Sequence, residues 1–154
     1  MASSSTGSGG DFLEKKSGIV RAKTKLPPLK AVVVVDDEAI DSDRMLATLR
    51  VIFSYDVAVR RATTANAAID LVMDKRPDVL FLDDILKPSD DASQTIPLLR
   101  RAGYDGPIVV ISGQVTRNRK TVLMTAGATD VIHKDDVDSV RLVESLQRVF
   151  KTGA

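Results

Sequence analysis

Cysteine is absent from all 154 residues, which excludes disulfides and thiolate metal sites and fits a reducing compartment. A single histidine, His133, excludes a multi-histidine metal centre. Aromatic side chains make up only 4% of the chain, so the core must be aliphatic. No apolar run approaches the roughly 20 residues of a membrane helix, and the N-terminus lacks the apolar stretch of a secretory signal. Together these absences lead to the expectation of a cytoplasmic chain that does not engage a membrane.

Apolar residues reach 44%, enough for the core of one domain. The net charge of +1 is unevenly spread. Residues 1–30 carry Lys15, Lys16, Arg21, Lys23, Lys25 and Lys30 against Asp11 and Glu14, which leaves the rest of the chain at −3. This arm has neither aromatic interleaving nor a long basic run, so a solvated tail is favoured over nucleic-acid contact. Residues 1–10 are almost all Ser, Gly, Thr and Ala and read as flexible. A helical turn within Asp11–Val20 is weakened by Gly18, and Leu26-Pro27-Pro28-Leu29 reads as a stiff spacer. The expected organisation is an arm over 1–30, a folded domain over 31–151 and a short tail over 152–154.

From Ala31 onward strands and helices alternate. Strands are expected at Ala31–Asp36, Asp56–Arg61, Asp78–Asp83, Ile108–Ile111 and Asp130–His133. The first helix shows Met45, Leu46, Leu49, Ile52 and Phe53 at helical spacing. The second follows a Thr63 or Thr64 cap and turns Ala65, Ala68, Ile69, Val72 and Met73 inward. Pro97 places the third helix over about Thr95–Ala102, with residues 87–94 as a loop. The fourth spans about Thr116–Ala126 and ends on Gly127. The fifth opens at Asp135 or Asp136 and buries Val137, Val140, Val143, Leu146, Val149 and Phe150. Five strands alternating with five helices imply an α/β fold, an open parallel sheet with helices on both faces.

In such sheets a ligand sits beyond the C-terminal strand ends. Those ends carry Asp36 and Asp37, Asp83 and Asp84, Ser112 and Lys134. Carboxylates repel one another, so a packed domain tolerates such a cluster mainly when a cation or a proton neutralises it. A hydroxyl and an ammonium facing the acids complete the chemistry of a site that takes up a phosphoryl group. Taken singly, each residue has a plainer reading. Asp36 or Asp37 could cap a helix, Ser112 a turn, and Lys134 could be solvated. Arg117, Arg119 and Lys120 read as a wet helix face, and alternation turns His133 away from the acids.

Four segments resemble a response-regulator receiver domain: Val35-Asp36-Asp37-Glu38, Pro77-Asp78-Val79-Leu80-Phe81-Leu82-Asp83, Pro107-Ile108-Val109-Val110-Ile111-Ser112, and the run Gly127 to Lys134. The resemblance covers about Ala31 to Phe150 and implies strand order 2-1-3-4-5 in a flavodoxin-like receiver fold. It implies that Asp36 and Asp37 hold a divalent cation, Mg2+, together with Asp83 and the backbone carbonyl of Ile85. It also implies that Ser112 bonds a phosphoryl oxygen and that Lys134 pairs with the acceptor carboxylate. The acceptor is read in two ways. The register of the apolar run selects Asp83, whereas a proline four residues after the acceptor selects Asp84, four before Pro88. The register is preferred because loops accept insertions. Alternation puts the two side chains on opposite faces, so one enters the cluster while the other caps a turn or faces solvent.

The sequence departs from the family pattern at three points. Asp135 follows Lys134 where the family has proline, so this loop is expected to differ and to present Asp135 and Asp136 to a partner. Val131 replaces an aromatic that changes rotamer, and Lys87 offers a further cation or is simply solvated. The expected function is phospho-acceptance from a sensor histidine kinase, with output through protein contacts or onward transfer to a histidine phosphotransfer protein. No effector domain is expected after Phe150, nor any nucleic-acid contact. The basic fourth helix suits an acidic partner or a homodimer. A degenerate receiver is disfavoured by the intact acid pair, Ser112 and Lys134. A flavodoxin-like cofactor binder is disfavoured because Asp36-Asp37-Glu38 repels phosphate where a Gly/Ser/Thr-rich loop is needed. An aspartate-nucleophile phosphatase is disfavoured because its acids are separated by one residue, unlike Asp36-Asp37 or Asp83-Asp84.

Overall fold

The computed structural model describes residues 26–86 and 90–152. The expectations for the arm up to residue 25, for Lys87 and Pro88 and for the last two residues lie outside the described residues. Five strands form one sheet: β1 (Ala31–Val35), β2 (Ala58–Ala62), β3 (Val79–Asp83), β4 (Ile108–Ser112) and β5 (Asp130–His133). Between and after them run α1 (Ala39–Phe53), α2 (Ala65–Asp74), α3 (Ala92–Arg101), α4 (Arg117–Ala126) and α5 (Ser139–Thr152). All strand pairings within this sheet are parallel, in the order β2-β1-β3-β4-β5, as the resemblance implied. A two-residue antiparallel ribbon, Ile85–Leu86 with Asp90–Asp91, follows β3.

The sheet is buried on both faces, which is why its central strands are apolar runs without polar alternation. Period-two geometry divides each strand between two cores. Val33, Val35, Leu80, Leu82, Val110 and Val131 join one core with residues of α2, α3 and α4. Val32, Val34, Val79, Phe81, Val109 and Ile132 join the other with α1 and α5. Leu29 is buried and Leu26 partly buried against the α1/α5 core, so chain ahead of β1 already packs on the domain. The Asp78 carboxylate accepts from the Lys30 and Ala31 amides, at 2.8 and 2.9 Å, and ties that entry to the start of β3.

Several boundaries differ from the sequence expectation. α3 begins at Ala92 rather than near Thr95, because the Asp91 carboxylate caps it by accepting from Ser93 N at 2.8 Å. Pro97 is therefore held inside the helix, and residues 85–91 include the ribbon rather than open loop. α5 opens at Ser139, not at Asp135 or Asp136: Asp138 accepts from Arg141 N at 2.7 Å, while Lys134–Asp136 form one 3-10 turn. β2 lies two residues later at its start than expected, with Val57 buried just ahead of it. Met73 is 69% exposed rather than inward, and Leu71 packs against the core instead. Thr64, not Thr63, caps α2, accepting from Ala67 N at 3.1 Å. Gly127 ends α4 as expected, at φ 120, which suits a residue without a Cβ.

Candidate phosphoryl site at the C-terminal sheet edge

Strand parity distributes the functional side chains. Asp83 ends β3 on the parity of Val79 and Phe81 and so lies toward α1 and α5; Asp84 is one residue on and lies toward α3 and α4. By the same count Asp36 and Lys134 share the side of Asp83, whereas Ser112 and His133 share the side of Asp84.

On the first side, carboxylate oxygens of Asp36, Asp37 and Asp83 all lie within 4.8 Å of one another. Lys134 Nζ stands 3.4 Å from Asp83 Oδ1 and 3.8 Å from Asp41 Oδ2. Burial pushes Asp36 up to about 6, against the Glu38 amide that its carboxylate accepts at 2.8 Å; Asp83 and Asp41 push it further up and Lys134 pulls it down. Burial likewise raises Asp83, opposed by Lys134 and the Ile85 amide and reinforced by Asp37. Burial lowers the Lys134 ammonium, but Asp83, Asp41 and Asp36 outweigh it and hold the amine above its ordinary value. This is a set of hard oxygen donors under mutual repulsion, and it fits a divalent cation such as Mg2+ or Ca2+. The donor set suits such a cation, with negative charge to neutralise and no soft ligand among the three carboxylates.

On the second side, Asp84 does not face solvent. It is 4% exposed, and Ser112 Oγ donates to Asp84 Oδ2 at 2.6 Å. Arg119, from the first turn of α4, closes on the same carboxylate: Nε donates to Asp84 Oδ2 at 3.1 Å and a terminal nitrogen donates to Oδ1. Arg119 also reaches Asp91 Oδ1 at 2.7 Å, and therefore binds the cap of α3. The Asp84 hydrogen bond, opposed by burial and reinforced by Asp91, holds the Arg119 guanidinium above its ordinary value. The reading of Arg119 as a wet helix face is corrected. A buried acid on the α3/α4 side needs a cation, and that need was the signal available in the sequence. Asp83, Asp84, Asp91, Ser112, Arg119 and Lys134 line one open cleft of about 410 Å³.

The remaining expected residues are also placed. The Ile85 amide bonds the Asp83 carboxylate, and the Ile85 side chain is exposed. His133 Nδ1 accepts from Asp135 N at 3.0 Å and so caps the 3-10 turn. Asp135 and Asp136 are exposed. Val131 is buried in the α3/α4 core.

The receiver family, described as the response regulator receiver domain, matches residues 32–147. The response regulator MprA of Mycolicibacterium vanbaalenii is 31% identical over 108 residues, which cover 70% of this chain and 44% of that protein. The chain thus spans less than half the length of the curated relatives it matches. NtrX from Brucella abortus superposes with a TM-score of 0.70 at 26% identity, over 80% of this chain and 27% of the other. The N-terminal receiver domain of Klebsiella pneumoniae RstA, in a BeF3-activated form, superposes with a TM-score of 0.65 at 24% identity, over 75% of this chain and 94% of the other. The chain belongs to the response regulator receiver domain family, a family of two-component signalling domains.

Proposed function

We propose that Asp83 accepts a phosphoryl group from the phosphohistidine of a sensor histidine kinase, and that the acceptance changes the contacts this domain makes. A carboxylate oxygen of Asp83 bonds phosphorus as the phosphorus–nitrogen bond to the kinase imidazole breaks, and the imidazole keeps the electron pair and takes a proton. Two anions must approach for this to happen, so positive charge has to be in place beforehand. Lys134 supplies it on one side of Asp83. Asp36, Asp37, Asp83 and the Ile85 carbonyl would hold Mg2+, which supplies charge neutralisation at the phosphoryl oxygens. The product is an acyl phosphate on the protein.

The observation that carries this reading is the convergence of three carboxylates within 4.8 Å of one another, one of them 3.4 Å from Lys134. Asp84 is already committed to Ser112 and Arg119, which supports Asp83 as the acceptor. The test is incubation with a small phosphodonor and Mg2+ followed by intact mass. The wild type and Asp84→Asn gain the mass of one phosphoryl group, and Asp83→Asn does not. Labelling of Asp83→Asn with loss of labelling in Asp84→Asn would reverse the assignment.

A further inference from the structure

Ser112 carries one hydroxyl proton and has two acceptors in reach, Asp84 Oδ2 at 2.6 Å and the Gln114 carbonyl at 3.1 Å. The shorter, charge-assisted bond takes the proton. Ser112 is fully buried, so water does not compete for it. The hydroxyl that would serve a phosphoryl group on Asp83 is therefore engaged by the neighbouring carboxylate. That carboxylate is itself gripped by Arg119, whose second contact is the carboxylate capping α3. Asp84 sits in the cleft shared by Asp83 and Lys134, where Arg119 offsets the charge that would otherwise repel an incoming phosphoryl group.

We infer that Asp84 and Arg119 are positioning residues that set how readily this site takes a phosphoryl group: Asp84 holds the Ser112 hydroxyl back, and Arg119 neutralises Asp84. The inference rests on Asp83 being the acceptor. Ser112 must leave Asp84 before it can donate to a phosphoryl oxygen, and a dianion arriving beside Asp84 competes for Arg119. Because Arg119 belongs to α4 and reaches the start of α3, that competition connects occupancy of the acceptor to both helices. The two residues act in opposite directions. Removing Asp84 frees Ser112 and takes away a negative charge; removing Arg119 leaves that charge bare and strengthens its hold on Ser112.

The test is titration of the full chain with beryllofluoride in saturating Mg2+, followed by a conformational signal. Asp84→Ala binds about tenfold more tightly than wild type, the worth of one charge-assisted hydrogen bond. Asp84→Asn, which keeps the shape and serves if the alanine variant folds poorly, lies between them. Arg119→Ala binds about tenfold more weakly, and Arg119→Lys recovers part of the loss. Most of the Asp84→Ala gain disappears in a Ser112→Ala background. Weaker binding in both Asp84→Ala and Arg119→Ala would indicate a merely structural role and overturn the inference, as would a gain undiminished without Ser112. The acceptor assignment fails by a different pattern: beryllofluoride binding that survives in Asp83→Asn and is lost in Asp84→Asn, or no binding by wild type, which removes the inference with it.

Discussion

Asp130 shows how one buried acid can anchor a helix at the strand end opposite the acid cluster. It opens β5 at 5% exposure and accepts from Ser145 Oγ at 2.6 Å and from Arg148 at 2.7 Å, both on α5. Burial alone would raise its carboxyl, but Ser145, Arg148 and the Val131 amide outweigh burial and hold it below its ordinary value. A carboxyl depressed in the folded state contributes stability that is present above the unfolded pKa of about 3.9 and is lost as pH falls through the lower folded value. Asp130→Ala should therefore cost about 2 kcal/mol at pH 7, a figure tempered by the exposure of Arg148. Urea unfolding across pH should show the gap to wild type closing below about pH 4. A gap independent of pH would mean that the residue acts through packing alone.

Single side-chain caps start α2, α3, α4 and α5, and the C-terminal end of α1 is strained. Ser54 ends α1 at φ 57 and ψ −139, the one positive φ outside glycine among the described residues. Its amide still bonds the Arg50 carbonyl at 2.9 Å, so the turn closes despite the conformation. Ser54→Gly should stabilise the chain by about 0.5–1 kcal/mol in thermal or denaturant unfolding, since glycine removes the strain while raising unfolded-chain entropy. Caps also explain where sequence reading erred. Pro97 argued for a short α3, but Asp91, bonded to Ser93 and held by Arg119, starts the helix a turn earlier. Asp135 and Asp136 looked like caps for α5, yet the chain spends them in a 3-10 turn closed by His133, and Asp138 caps α5. Periodicity shows that a helix exists; its first residue depends on which of several polar side chains finds a free amide.

Across the fold, the acid triad is a local cost that a bound cation would relieve. In chelator, Asp36, Asp37 and Asp83 repel one another, and folding must overcome that repulsion. Mg2+ at about ten times its Kd should stabilise the wild type by about 1.5 kcal/mol, read as a rise of a few degrees in Tm. Asp37→Asn should raise the metal-free Tm and abolish most of the Mg2+ response. An unchanged Tm in the wild type on adding Mg2+ would remove the cation from the site. Within the described residues no helix is long and apolar enough to cross a membrane.

Much of this was legible in the chain itself. Valine-rich and leucine-rich runs closing on acids are strands buried on both faces, and their order with the intervening helices implied the sheet. The same runs carry Asp36, Asp37, Asp83, Asp84, Ser112 and Lys134 to one edge, because parallel strands all end there. Strand alternation even separated Asp83 from Asp84. What alternation could not supply was the partner on the far face. Arg119 lies 35 positions after Asp84 in a segment with no apolar stripe, and only the packing of α4 beside α3 brings its guanidinium onto the buried carboxylate. Local pattern follows from the backbone's fixed periods, whereas a charge pair between distant helices depends on how those helices settle against the sheet, a matter of three-dimensional packing that no period encodes.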